Sequence, residues 1–309
     1  MVRWLGAILL AFAGFYGAAG YLATNDVLRE HPEWRRLIAA PADFGLNAEV
    51  VSFQSPDGIP LKAWWIPAAG AARGNVVLAH GVGGNRSGML SQAAFLVPHG
   101  YNALAVDLRK HGESGGRFYT SGYFEALDVL GAARYLRQRG ERAPIAVLGH
   151  SYGAVAALHA AARSPEIAAV ISDSGFASSS EIVDNVRRHF LRSASTPLRT
   201  KALWWLSGAP GVYTAVVLAF YFRTGEYMSP ETTTVMPSVE RLEKPLLFIS
   251  GEQDFGCPPE HARRMFAAAP SPQKSLFIVP GAGHTTTFTA NPKGYEEVVL
   301  GFLEKAFAR

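Results

Sequence analysis

Short, predominantly apolar runs recur along the chain at 75–79, 102–106, 144–148, 168–172, 245–249 and 275–279, each closed by a glycine or a polar turn. Runs of this length without polar alternation predict strands buried on both faces. Helices are predicted over 88–97, 123–137, 154–162, 259–268 and 293–307. Two further strand-like runs, 49–53 and 61–66, flank Ser55-Pro56-Asp57-Gly58 and predict a hairpin. The expected architecture is α/β: a mostly parallel sheet of about eight strands with helices on both faces.

The alternation breaks between 174 and 244. That stretch is too long for a loop, so a helical cap over 175–244 is expected above the C-terminal ends of the strands. Within it, residues 202–222 carry no charge. A membrane span there is disfavoured by Gly208, Pro210 and Gly211, and it would put the later strands across the membrane from the earlier ones. A lid is the better reading. Its aromatic residues Trp204, Trp205, Tyr213, Phe220, Tyr221 and Phe222 either face lipid or pack on the sheet.

The N-terminus follows another pattern. Residues 4–23 carry no charge, and twenty residues at ~1.5 Å each span one hydrocarbon thickness. Residues 1–24 therefore predict an uncleaved transmembrane anchor, with a membrane localisation and the membrane itself as a partner. The alternative is a signal peptide cleaved near Ala18-Ala19-Gly20, giving a secreted protein. Arg29, Arg35 and Arg36 after the span balance Arg3 before it, so orientation is undetermined. Residues 25–48 read as a juxtamembrane linker with a short helix over 34–39, and 49–309 as the folded domain.

Composition narrows the partners. The 309 residues are 49% hydrophobic and 17% charged, enough apolar material for a sizeable core. The net charge of +4 is scattered without a Lys/Arg block, which argues against nucleic acid. The single cysteine, Cys257, excludes an internal disulfide.

The chemistry centres on Gly149-His150-Ser151-Tyr152-Gly153, between a predicted strand and an alanine-rich predicted helix. A G-x-S-x-G elbow needs that context: the glycines permit a crowded turn, and the serine is lifted to a helix N-terminus. An ordinary strand–helix turn is the bland alternative. A nucleophilic serine needs a base and the base an orienting acid. Of nine histidines, His284 in Gly281-Ala282-Gly283-His284 follows the last predicted strand, whereas His80, His111 and His150 read as loop-fixing partners. The acid is Asp254 or Asp173, both at strand ends. Asp254 is favoured because it lies one strand–helix unit before His284. His80-Gly81-Val82-Gly83-Gly84-Asn85 follows the first parallel strand and lacks phosphate-loop features. The amides of Val82 and Tyr152 are the candidate oxyanion hole.

With Asp107-Leu108-Arg109-Lys110-His111-Gly112-Glu113-Ser114-Gly115-Gly116 and Gly251-Glu252-Gln253-Asp254, these motifs resemble the α/β-hydrolase-fold serine hydrolases, in the prolyl-oligopeptidase-like and membrane-anchored group. The resemblance covers about 49–309. It implies a Ser151–His284–Asp254 triad, no metal and no organic cofactor, and an architectural role for Asp107 and Arg109. The expected reaction is hydrolysis of carboxylic esters or thioesters of a lipophilic acyl group, through an acyl-enzyme. A serine peptidase and a non-catalytic membrane-tethered binding module are the alternatives.

Overall fold

The structure, a computed structural model, describes residues 2–228 and 232–308; the side chains of 2–12, 199, 203 and 204 are outside the description. The chain opens with helix α1 (Val2–Leu28), a single turn α2 (Pro32–Arg35) and a 3-10 turn at Pro41–Phe44. The strands are β1 (Glu49–Gln54), β2 (Pro60–Ile66), β3 (Gly74–Ala79), β4 (Tyr101–Val106), β5 (Ile145–His150), β6 (Ile167–Asp173), β7 (Leu246–Gly251) and β8 (Lys274–Val279). They form one sheet in the order β1-β2-β4-β3-β5-β6-β7-β8. β1 and β2 are antiparallel to each other, β2 is antiparallel to β4, and every later pairing is parallel.

Alternate residues of each central strand enter two cores. Val77 and Ala79 join one core, with side chains from α4 (Glu125–Gln138), α5 (Tyr152–Arg163), α9 (Met236–Val239) and α10 (Pro259–Ala268). Val76 and Leu78 join the other, under α3 (Leu90–Leu96), the single turn α11 (Thr287–Ala290) and α12 (Pro292–Phe307). Burial on both faces is why these strands read as unbroken apolar runs rather than as alternation.

Between β6 and β7 the chain leaves the sheet through α6 (Ser179–Arg192), α7 (Leu198–Leu206) and α8 (Val212–Thr224). Of the cap aromatics, Phe220 is buried and packs edge-on against Phe118, whereas Trp205, Tyr213, Tyr221 and Phe222 are exposed. Trp204 lies outside the described side chains.

The expected transmembrane anchor is overturned. Among the described residues no helix is long and apolar enough to cross a membrane. That expectation rested on the absence of charge, but Gly6, Gly14, Gly17, Gly20, Tyr16 and Tyr21 punctuate the uncharged stretch 4–23. Instead α1 lies along α8. The Tyr16 hydroxyl donates to the Pro210 carbonyl at 2.6 Å, and Arg223 donates to Thr24 Oγ1 at 2.9 Å. The Arg223 guanidinium sits 4.7 Å over the Tyr21 ring, and a Cβ on Gly20 would meet the Ala215 carbonyl at 2.6 Å. A membrane localisation and a membrane partner through this helix therefore lose their support. The segment after α1 is not a free linker either. Its helix starts at Pro32, where a proline suits the first turn, and ends at Arg35 rather than running over 34–39.

Candidate active site

The site forms where the parallel strands end. Ser151 follows β5 directly and caps α5 with φ +51° and ψ −115°, a conformation non-glycine residues rarely adopt. The flanking glycines make this turn possible. A Cβ on Gly149 would fall 2.3 Å from the Gly153 carbonyl oxygen, and one on Gly153 would fall 2.4 Å from the Ala79 carbonyl oxygen. The Ser151 amide donates to the Asp173 carbonyl at 2.8 Å, tying the turn to the neighbouring strand.

Three side chains from three strand ends meet here. Ser151 Oγ lies 2.9 Å from His284 Nε2, and His284 Nδ1 lies 2.6 Å from Asp254 Oδ2. Asp254 is buried, and its other oxygen accepts the amides of Gly256 at 3.0 Å and Cys257 at 2.8 Å. With a carboxylate at Nδ1, the imidazole carries its proton there, and Nε2 accepts from the serine hydroxyl. Asp173 takes a different place. Its carboxylate accepts from Ser174 Oγ, Thr287 Oγ1 and the Tyr295 hydroxyl, and it lies 3.4 Å from His150 Nε2. It braces the start of the C-terminal helices.

The loop after β3 passes close to the serine: a Cβ on Gly81 would lie 3.5 Å from Ser151 Cβ. His80, Gly81, Val82, Gly84, Gly88, Met89, His150, Ser151, His284 and Thr285 line a cavity of about 240 Å³. Val82, on that lining, and Tyr152, after the serine, have amides with no acceptor among the described residues.

Two buried histidines hold this loop. His80 accepts the Leu108 amide at 3.0 Å through Nε2 and donates from Nδ1 to the Gly81 carbonyl at 2.7 Å. His111 accepts the Gly83 amide at 3.1 Å through Nε2 and donates from Nδ1 to the Arg109 carbonyl at 2.9 Å. Burial lowers the His80 pKa to about 4 and that of His111 to about 3, so both are neutral near pH 7 and each offers one acceptor. Asp107 accepts the Arg86 and Glu113 amides and pairs with the Arg86 guanidinium. Arg109 is held between Asp128 and Asp57. Both residues knit loops together outside the cavity lining.

Sequence reasoning missed the segment 28–38. Lys110 Nζ donates to the Leu28 carbonyl at 2.7 Å, and the Gly112 amide donates to the Trp34 carbonyl at 3.2 Å. Asn85 Nδ2 donates to the Trp34 carbonyl at 3.1 Å and to the Arg36 carbonyl at 2.9 Å. The Trp34 indole stacks on His111. The segment is thus a strap across the back of the β3 loop. No pattern in 28–38 signals this. The unusual signal is Lys110, whose φ of +64° aims a buried amine at the strap.

Asp254, Cys257 and His284 bring three potential metal-ligand atoms within 4.8 Å of one another. They fit an ion poorly. Asp254 is saturated by two amides and the imidazole, and burial raises the Cys257 thiol pKa well above its usual value, which disfavours the thiolate that metals need.

Over 318 residues the chain is 28% identical to the alpha/beta hydrolase domain-containing protein WAV2 of Arabidopsis thaliana, covering 99% of this chain and 96% of that one. It is 28% identical over 232 residues to an uncharacterized Bacillus subtilis protein, YqkD, covering 74% and 70%. The structure superposes on the Pyrococcus furiosus esterase Pf2001 with a TM-score of 0.73 at 24% identity, covering 90% and 98%. The profile of the alpha/beta hydrolase family matches residues 76–298, from β3 to within α12 and through every loop of the site, and the chain belongs to that family.

Proposed function

We propose that the protein hydrolyses carboxylic esters or thioesters through an acyl-enzyme on Ser151. The observation that carries this reading is the continuous hydrogen-bonded line from Asp254 through His284 to Ser151, at 2.6 and 2.9 Å. Ser151 Oγ attacks the acyl carbon while its proton passes to His284 Nε2. The imidazolium is stabilised by Asp254, which keeps the ring oriented. The carbonyl oxygen becomes an oxyanion beside the Val82 and Tyr152 amides. Removal of one such donor typically costs ~10²–10³ in rate. Collapse expels the alcohol or thiol, which takes the proton from His284. Water then repeats the sequence in reverse roles, releasing the acid and restoring Ser151.

The likeness to a solved esterase agrees with this chemistry. The cavity beside Ser151 is about 240 Å³, lined mainly by glycine and histidine, and none of its lining comes from the cap aromatics. This favours a small acyl group over the lipophilic one suggested by the apolar cap. A fluorophosphonate probe tests the nucleophile. Labelling of the wild type that is lost in Ser151→Ala supports it, and equal labelling of both refutes it. A series of p-nitrophenyl esters should show turnover falling as the acyl chain outgrows the cavity.

A further inference from the structure

Helix α6 carries Asn185, Arg188, His189 and Arg192 at helical spacing, so that they share a face. With Ser193 and Phe255 they line an open groove of about 560 Å³. The His189 ring stacks on Phe255 with centroids 4.1 Å apart, and Asn185 Nδ2 donates to the Gly256 carbonyl at 3.2 Å. Phe255 and Gly256 directly follow Asp254. The floor of the groove is therefore the loop that holds the acid of the proposed triad.

The groove is cationic. No acidic side chain lines it. The two acids nearest along α6 are each bonded to another arginine, Asp184 to Arg187 at 3.0 Å and Glu181 to Arg264 at 2.8 Å, with the Arg188 charge also acting on Glu181. Among the described residues, neither Arg188 nor Arg192 is paired with a carboxylate; Arg188 is held only by Asn185 Oδ1 at 2.5 Å. Basic residues suit the last turn of a helix, which accounts for Arg192 by itself. It does not account for two guanidinium groups lining one groove with an aromatic ring that is itself 53% exposed. Guanidinium groups bind carboxylate and phosphate oxygens through paired hydrogen bonds. The Phe255 ring offers apolar contact for the carbon skeleton that carries the anion.

We propose that this groove is an anion subsite of the esterase site, and that the substrate is an ester carrying a carboxylate or phosphate group. This rests on the hydrolase reading and names the substrate class for it. The test compares p-nitrophenyl hemiglutarate with neutral p-nitrophenyl valerate, which has the same acyl carbon count, on the full chain. In Arg188→Gln/Arg192→Gln the ratio of kcat/KM, anionic over neutral, should fall about tenfold or more, mainly through KM, as expected for losing a charged hydrogen bond. Arg188→Glu/Arg192→Glu should lower it further, and added salt should lower the wild-type ratio. An unchanged ratio in both double variants overturns the subsite.

A second measurement does not need turnover. Glutarate and inorganic phosphate are titrated calorimetrically into Ser151→Ala, with and without the arginine substitutions. Binding of either anion that is lost with the arginines supports the subsite, and the two anions distinguish carboxylate from phosphate. No binding, or binding indifferent to the arginines, overturns it. If anion binding depends on the arginines but neither ester is cleaved by the wild type, the hydrolase reading fails and the groove is an anion site only.

Discussion

Trp34 lies flat against His111, with ring centroids 4.8 Å apart and planes 4° from parallel, and His31 stacks on the same indole at 3.6 Å. Behind this stack, His111 Nε2 takes the amide of Gly83, the residue after Val82. A Cβ on Gly83 would meet the Trp34 indole nitrogen at 3.3 Å, so the glycine permits the contact. The strap from the N-terminal helix thus presses on the loop that carries a proposed oxyanion donor.

Trp34→Ala should therefore lower kcat for p-nitrophenyl esters by about tenfold, with KM changed by less than about twofold. Complete loss of a donor costs ~10²–10³, and a loosened donor a part of that. A boronic acid that mimics the tetrahedral intermediate should lose affinity in step with kcat. An unchanged kcat would show that the strap does not position the loop.

Ser151→Gly should abolish turnover and stabilise the fold. The serine sits at φ +51°, where a side chain costs ~1–3 kcal/mol, while glycine gives back ~0.5–1 kcal/mol through the flexibility of the unfolded chain. The net expectation is a Tm raised by roughly 2–4 °C. A lower Tm would mean that the elbow is not strained.

The two carboxylates at the strand ends should separate cleanly. Asp254→Asn should lower kcat by ~10⁴, because the amide no longer enforces the Nδ1-protonated ring. Asp173→Asn should act on stability instead, since Asp173 is buried and accepts from Thr287 and Tyr295. Thermal unfolding and steady-state kinetics on both variants check this, and the reverse ranking would transfer the orienting role to Asp173.

Stability should fall with acid before the carboxylates titrate. Burial lowers the pKa of His80 to about 4 and those of His111 and His159 to about 3, against ~6.5 in an unfolded chain. Between those values the unfolded state binds protons that the folded state refuses. The contribution of each neutral histidine is complete above pH ~6.5, shrinks as the pH falls, and levels off below the folded pKa, with a slope of up to ~1.4 kcal/mol per pH unit each. The Tm should be flat near pH 7.5 and decline from pH 6.5 to 4. A Tm unchanged between pH 7.5 and 5 would contradict it.

The sheet was legible because its signal is local. Val76, Val77 and Leu78, or Ala103, Leu104 and Ala105, are buried on both faces, and double burial writes itself as consecutive apolar residues. The eight expected strand positions all correspond to strands, with boundaries shifted by at most two residues, as at β5 and β7. The candidate site was legible in part for the same reason. The crowded turn at Ser151 admits only glycine at 149 and 153, and that need is recorded within five residues. Asp254 and His284 could be named because they follow strands whose order places them beside the elbow. The preference for Asp254 over Asp173 rested on topology, and it is Asp254 whose carboxylate lies against His284, at 2.6 Å.

The packing of the N-terminal segment was not legible, and the reason is physical. Whether an uncharged helix meets lipid or protein depends on what its surface touches, and the Gly20 approach to Ala215 or the Tyr16 bond to Pro210 joins residues almost two hundred positions apart. Likewise Trp34 and His111 lie far apart in the chain, and neither is marked by periodicity, because one aromatic stack leaves no repeat. The amino-acid sequence by itself determined the strands, their parallel pairing and the elbow, since backbone sterics and two-sided burial constrain consecutive residues. The tertiary structure alone decided that α1 packs on α8, that the strap braces the β3 loop, and that Arg188 and Arg192 line one groove with Phe255, since each of these joins side chains that only folding brings within reach.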